Sequence, residues 1–370
     1  MIGEEYFEAH RRECSPADIA ALPNIPGVFL AWADEGAPYL ARTGLLRRRL
    51  LRLFGTQGKP SRLLNLTGVV KRIEYWLCGS RLETGILHYA LARRHFPEQY
   101  LKITKLRMPA YVKLTLGNPF PRTLVTNRIA GKGLYVGPFR SRASAELFNA
   151  QTLDLFQVRR CEENLDPNPD HPGCMYGEMN MCLRPCQAVV TTEEYSSEAV
   201  RLQHFFETGG ASMLTAVAAA RERSSELLDF EEAARQHKRY ERVEGVARLR
   251  DELVCDIDRL CGLAITPAAS TDAVALWFVS GGRWALAVDF PFAASGGEIV
   301  PLDRRLREMV ARVAESKVAG AERQEHLALL ARWYYSSWRD GEWLAFGGFD
   351  RLPYRRAVNA IARISRAAAR

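Results

Sequence analysis

Residues 26–50, PGVFLAWADEGAPYLARTGLLRRRL, set the fold of the N-terminal part of the chain. Two short apolar runs, GVFLAW (27–32) and PYLAR (38–42), flank the turn ADEGA (33–37), the pattern of a β-hairpin. GLLRRRLLRLF (44–54) then switches to helical period and carries a basic face. Further on, RIEYWLC (72–78) predicts a third strand, and RLETGILHYALARRHF (81–96) a second amphipathic helix stopped by Pro97. Residues 15–105 thus read as a small α/β domain.

Working outward, 106–160 form a connecting β/α segment. AYVKLTL (110–116) and GLYVGPF (133–139) predict strands, and 141–158 a helix with Ser141 as its cap. A cysteine-rich segment covers 161–186. Residues 190–250 are a helical region that opens on Thr191 and Glu194 in capping-box spacing, pauses at Gly209–Gly210 and breaks near LLDF (227–230). Leu227, Phe230, Ala234, His237 and Tyr240 step by three and four, so they are either core or the seam of a helical hairpin that pairs with another chain. In the C-terminal α/β region, 262–346, AVALWFVS and RWALAVDF flank a Gly281–Gly282 turn, which predicts a second hairpin, followed by a helix over about 302–338. The tail, 349–370, sets six arginines against one aspartate on a weakly amphipathic helix, either a frayed solvated end or a nucleic-acid contact. The expected fold class is α/β and multidomain.

With 370 residues, 47% hydrophobic content and 25% charge, the chain has the composition of a globular protein with two or three cores. It has no apolar run of membrane-spanning length and no signal-peptide core at its N-terminus, so a cytoplasmic protein with no membrane partner is expected. No G-x-x-x-x-G-K-[ST] loop is present, so no ATP is expected to bind. The net charge of +8 suits a polyanion, and its distribution is more telling. Arg42, Arg47, Arg48, Arg49, Arg52, Lys59, Arg62, Lys71 and Arg72 fall within 31 residues with no acidic residue among them. A solvated helix face alternates signs, whereas an uninterrupted basic run suits phosphate contacts with double-stranded DNA.

Four of the eight cysteines, Cys161, Cys174, Cys182 and Cys186, fall within 26 residues around the loop composition PNPDHPG. Converging soft ligands on a short, loop-rich segment suit a thiolate-bound metal centre; buried free thiols or disulfides are the plainer alternatives. The x2 spacings common in zinc sites are absent, and the residues themselves leave both zinc and an iron–sulfur cluster open. Cys14, Cys78, Cys255 and Cys261 are scattered and read as ordinary thiols in a reducing compartment.

The N-terminal pattern resembles the opening of GIY-YIG nuclease domains, in particular that of the UvrC family of bacterial nucleotide excision repair. The resemblance continues in order. YVKLT, PRTLVTNR and LYVGPFRSRASAELFNAQTLDLF are similar to the segment that follows the nuclease domain in that family. RRCEENLDPNPDHPGCMYGEMNMCLRPC is similar to its cysteine-rich region, which implies a 4Fe-4S cluster on Cys161, Cys174, Cys182 and Cys186. ELLDFEEAARQHKRYERV is similar to the UVR motif, which implies a UvrB-like partner met by Phe230, Ala233 and Ala234. Residues 262–346 resemble the stretch after that motif.

For catalysis the resemblance implies one divalent metal, a base, and a cation for the developing phosphorane charge. The two motif tyrosines fall on Phe29 and Tyr39, the second motif's glycine on Ala41, the basic residue after it on Arg42, and the essential arginine on Arg49. Tyr39 keeps the hydroxyl of a base or water-positioning group. The metal carboxylate falls on His88, at the end of TGILHY, and Glu83 lies on another face of that helix. A neutral imidazole is a poor magnesium ligand, so His88 is a substituted residue in a dead site, a ligand for a softer metal, or a base. The RNase H-like nuclease and tandem helix-hairpin-helix domains that the family carries further on match no segment of these residues. The leading expectation is therefore a UvrC-like DNA-binding protein with incision weak or lost, binding DNA through Arg42, Arg47, Arg48, Arg49 and Arg52. The alternatives are an active single-incision GIY-YIG endonuclease and an iron–sulfur scaffold or redox-sensing module.

Overall fold

The computed structural model describes residues 4–54, 66–292, 301–315 and 322–368. It is a mixed α/β multidomain structure with three four-stranded sheets, whose strand pairs are antiparallel throughout. The chain divides into two compact units, one made of residues 1–107 and 261–370 and the other of 108–260.

The first unit begins with α1 (Glu4–Ala9), β1 (Arg12–Cys14), β2 (Gly27–Ala33) and β3 (Tyr39–Thr43). α2 (Leu46–Phe54), β4 (Val70–Leu77), α3 (Arg81–His95) and α4 (Tyr100–Thr104) follow. The expected hairpin is β2–β3, and the sheet order is β1-β4-β2-β3. α2 is helical because Leu46, Leu50 and Leu53 recur on one face and are buried, which turns its arginines outward. α3 is not the amphipathic helix expected. Leu82, Glu83, Ile86, Leu87, His88 and Leu91 are all buried, so the helix is enclosed rather than one-sided. The Ser80 hydroxyl caps it, accepting from the Glu83 N–H at 3.1 Å, and Arg93, Arg94 and His95 oppose the dipole at its C-terminal end.

The second unit contains β5 (Ala110–Thr115), β6 (Thr123–Thr126), β7 (Gly133–Phe139) and α5 (Arg142–Leu153). After the short α6 (Met175–Glu178) come α7 (Thr192–Thr208), α8 (Ala211–Glu226), α9 (Phe230–Ala247) and β8 (Cys255–Asp256). The sheet order is β6-β5-β7-β8. Ser141 caps α5, and Thr191 with Glu194 forms the expected capping box on α7. The core gathers Phe139, Phe148, Phe205 and Phe206 with Val217, Val243 and Val246 from the base of the α8–α9 hairpin.

The first unit is completed by β9 (Cys261–Pro267), β10 (Ala273–Ser280), β11 (Arg283–Pro291) and α10 (Leu302–Glu315). α11 (Arg323–Tyr334), β12 (Glu342–Phe346) and α12 (Tyr354–Ala368) follow. The order is β11-β10-β9-β12. β10 is buried on both faces. Val274, Leu276 and Phe278 point into a core closed by Leu306 and Val310 of α10 and by Ala357, Ala360 and Ile361 of α12. Trp277, on the other face, meets the ring of Tyr6 at 5.4 Å. The helix expected over 302–338 is two helices, α10 and α11; residues 316–321 lie outside the described residues. The tail is no frayed end: α12 has a fully apolar buried face, and Arg363 holds Glu342 through two hydrogen bonds of 2.7 and 2.6 Å. Loop contact is close where the two parts of this unit meet. A Cβ on Gly79 would stand 2.0 Å from the carbonyl carbon of Ala268.

Candidate functional site

In the N-terminal sheet β2 and β3 place Phe29 opposite Ala41, with Val28 opposite Arg42 and Ala31 opposite Tyr39. Phe29 is fully buried, and its ring lies 6.1 Å from that of Tyr39. Arg49 on α2 donates from Nη2 to the Tyr39 hydroxyl at 3.4 Å. Tyr39 and Arg49, expected to act together, are thus brought together.

The outer face of α2 carries Arg47, Arg48, Arg49 and Arg52, with Leu46, Leu50 and Leu53 beneath them. The basic run is less uniform in space than in sequence. Lys71 stands 4.0 Å from Asp34, and Arg72 reaches Glu74 at 3.0 Å and Glu13 at 3.4 Å while stacking on Trp32. These two are neutralised by acidic neighbours that the run itself lacks. Lys59 and Arg62 lie outside the described residues.

His88 sits on α3, 6% exposed, and lines a cavity with Arg42, Arg81, Arg332, Trp333 and Trp338. Burial, then the charges of Arg42 and Arg332, lower its pKa to about 4, so the ring is neutral at ordinary pH. Burial and Arg332 in turn lower that of Arg42. No aspartate or glutamate is among the residues lining the cavity. Glu83 turns elsewhere on the helix, as its spacing requires, towards Tyr6 and the Gly79 N–H. The position expected for a metal carboxylate is thus occupied by a neutral imidazole among guanidinium groups, which opposes a divalent cation. Sequence reasoning missed Arg81, Arg332, Trp333 and Trp338. The aromatic run ARWYYSSW (331–338) was the available sign, but its proximity to His88 is a tertiary fact.

The four cysteines of the loop segment share one neighbourhood. Burial raises the Cys182 thiol to about 11, and Cys161, Cys174 and Cys186 push it further in the same direction. Cys186 is raised by burial and then by Cys174 and Cys161. The Arg159 guanidinium donates to the Cys161 sulfur at 3.5 Å, and the Arg184 N–H to that of Cys182 at 3.4 Å. Among the described residues no group of three or more His, Cys, Asp or Glu side chains is drawn to metal-holding geometry. The donor set nevertheless fits a thiolate-bound centre: four soft sulfurs, close enough that the other three raise the Cys182 thiol, are groups that a metal would deprotonate. All eight cysteines are free thiols.

The stripe on α8–α9 resolves into two parts. Tyr240 is partly buried against the core, whereas Leu227, Leu228 and Phe230 stand 80%, 71% and 68% exposed at the hairpin tip. Ala233 is half-buried, and Ala234 and His237 are exposed. Asp229 caps α9 through the Glu232 N–H at 3.0 Å, which fixes where Phe230 leaves the turn.

A sheet-and-helix unit with a basic helix beside a Tyr–Arg pair, and a second unit built on a cysteine-rich loop and a helical hairpin, make up a mixed α/β architecture of two compact units. Residues 110–205 match the UvrC/Cho excinuclease middle domain. UvrABC system protein C of Moorella thermoacetica is 27% identical over 325 residues, 86% of this chain and 48% of that protein. UvrABC system protein C of Lachnospira eligens is 24% identical over 273 residues, 72% and 44% respectively. That of Dehalococcoides mccartyi strain CBDB1 is 28% identical over 222 residues, 58% and 36%. The protein is UvrC-like, and the chain spans about half the length of the curated relatives it matches. No solved structure matches it. No helix among the described residues is long and apolar enough to cross a membrane.

Proposed function

We propose that the protein is a cytoplasmic DNA-binding component of nucleotide excision repair or related DNA processing, with GIY-YIG incision weak or lost. The observation that carries this reading is the surroundings of His88: a buried neutral imidazole with arginines and no carboxylate, in a chain whose relatives are UvrABC system protein C. DNA is held by Arg42, Arg47, Arg48, Arg49 and Arg52, because phosphate contact needs only positive charge on a matching surface. Incision needs a metal to stabilise charge on phosphate oxygens, and the group that would hold it is replaced. The UVR-type hairpin engages a UvrB-like protein, with Phe230 as anchor and Ala233 and Ala234 allowing close approach. Cys161, Cys174, Cys182 and Cys186 hold a 4Fe-4S cluster. When bound, it ties a loop-rich segment together through metal–thiolate bonds.

The test pairs DNA binding with nicking. Salt-sensitive duplex binding without magnesium-dependent nicking is the expected result; nicking at the rate of an intact GIY-YIG nuclease overturns it. Anaerobically purified protein is expected to be brown and to contain iron, and stoichiometric zinc without iron sinks the cluster assignment. The Arg49–Tyr39 hydrogen bond favours one second reading, a surviving single-incision nuclease. Manganese-dependent cleavage abolished by Tyr39→Phe would establish it in place of the first.

A further inference from the structure

The cavity beside α3 has properties that a decayed metal site does not require. It is partly open, with a volume of about 20 Å3, above the roughly 10–15 Å3 a single water needs. Three guanidinium side chains converge on it from separate parts of the chain: Arg42 on β3, Arg81 at the start of α3, and Arg332 on α11. Among the described residues, none of the three forms an ion pair with a carboxylate. Arg81 stacks on Trp338 at 5.2 Å, and Arg332 donates to the Thr104 carbonyl at 3.3 Å. Asp340, an acidic group beside the start of α3, is already engaged. It accepts from the Arg81 backbone N–H at 2.5 Å and from the Trp333 indole N–H at 3.0 Å. Neither the His88 ring nor the Arg42 guanidinium has a hydrogen-bond partner among the described residues.

Arg42, Arg81 and Arg332 are exposed side chains, so water screens their mutual repulsion, and no carboxylate lines the cavity to pair with them. One bound group can engage all four side chains at once: an oxyanion that accepts from the guanidinium forks and from the imidazole N–H. Arginine forks match phosphate and carboxylate bidentately, and three of them together suit the higher charge of a phosphoryl group better than the single charge of a carboxylate. We infer that this cavity is a binding site for a single phosphoryl group, held by Arg42, Arg81 and Arg332 with His88 as a neutral donor. The site needs the C-terminal region, because Arg332 comes from α11. It shares Arg42 with the repair reading but does not depend on that reading, since a phosphoryl group carried by a small ester or by a nucleic-acid end satisfies the same donors.

The test is calorimetric titration of the full chain with inorganic phosphate, then with 5′-phosphorylated and 5′-hydroxyl single-stranded oligonucleotides. Saturable phosphate binding is expected, with Arg332→Gln weakening it about tenfold or more, as for the loss of a charge-assisted hydrogen bond. Arg304→Gln, an equal charge change on the exposed face of α10, is the control and leaves it unchanged. A gain for the 5′-phosphorylated oligonucleotide over the 5′-hydroxyl one assigns the group to a nucleic-acid end; no gain assigns it to a small phosphate ester. Two results overturn the inference: no saturable phosphate binding, or equal effects of Arg332→Gln and Arg304→Gln. Duplex binding that persists after either result leaves the DNA-binding reading standing.

Discussion

On α3, Glu83 and His88 are both buried, at 2% and 6% exposure, yet Glu83 is fully partnered while the His88 ring has no hydrogen-bond partner among the described residues. Glu83 Oε2 accepts from the Gly79 N–H at 2.7 Å, and Oε1 lies 3.0 Å from the Tyr6 hydroxyl. That hydroxyl is also 2.9 Å from Asp289 Oδ1, and Asp289 Oδ2 is 2.9 Å from His10 Nε2. His10 Nδ1 reaches the Tyr6 carbonyl at 2.6 Å. A carbonyl and a carboxylate can only accept, so both ring nitrogens of His10 donate and the ring is an imidazolium. Tyr6 has one hydrogen to share between two carboxyl groups, so one of those groups keeps its own proton. Glu83 is the one, since burial raises it to about 7. The network joins α1, α3 and β11, elements far apart in sequence. A buried polar group with every bond made fastens parts of the fold; one with no protein partner is left to water or to a ligand.

The largest effect expected from this contrast is at Glu83. Glu83→Ala strands the Gly79 N–H and the Tyr6 hydroxyl and should cost about 3 kcal/mol in urea unfolding, whereas Glu83→Gln, which keeps the shape and an acceptor, should cost under about 1 kcal/mol. Equal losses for the two variants would break the assignment of a protonated, hydrogen-bonded carboxyl. The same proton gives a pH signature. The folded value for Glu83 is above its unfolded one, so its contribution is complete below about 4.5 and is lost as pH rises towards about 7. Its size is on the order of 2–3 kcal/mol. His10, raised to about 9 chiefly by its hydrogen bond to Asp289, adds a second contribution present below about 6.5 and lost as pH rises through 9. Denaturant midpoints measured from pH 4 to 10 should fall in two stages, and Glu83→Gln should remove the first stage alone.

The hairpins, the basic helix and the capping boxes were legible in the sequence because each rests on neighbours in the chain. Ser141 and Thr191 each accept from an N–H three residues on, a local geometry that composition reveals. The enclosure of α3 was not legible. Nothing in RLETGILHYALARRHF shows that Arg332 and Trp333 would cover its outer side, so an all-round buried helix looked amphipathic. β6, β9 and β12 were missed for a related reason: short strands are settled by their partners in the sheet, not by their own pattern. The shared neighbourhood of the four cysteines was visible as spacing, since they crowd into one short loop-rich segment.

In the other unit the same contrast appears in apolar form, between Tyr240, partly buried against the core, and Phe230, exposed at the hairpin tip. Phe230→Ala should leave unfolding within about 0.5 kcal/mol of the parent and weaken a UvrB-like partner by about 2 kcal/mol in calorimetry. A stability loss as large as the binding loss would make Phe230 part of the fold and leave the hairpin tip without a role.

The smallest effect belongs to His88 and separates its two readings most sharply. Removing a partnered buried imidazole strands its partner, and the usual loss is about 1–3 kcal/mol. Removing an unpartnered one strands nothing. Leucine fills similar space, needs no hydrogen bond and suits a helix already enclosed by Leu82, Ile86 and Leu87. His88→Leu should therefore change unfolding by no more than about 0.5 kcal/mol, or raise stability slightly, as substitutions at ligand sites often do. The same variant should weaken phosphate binding, because the cavity loses its neutral donor. A clear loss of stability without phosphate would mean that His88 has a structural partner after all, and the asymmetry along α3 would disappear. Unchanged stability with weakened phosphate binding would place His88 in the binding site and outside the scaffold.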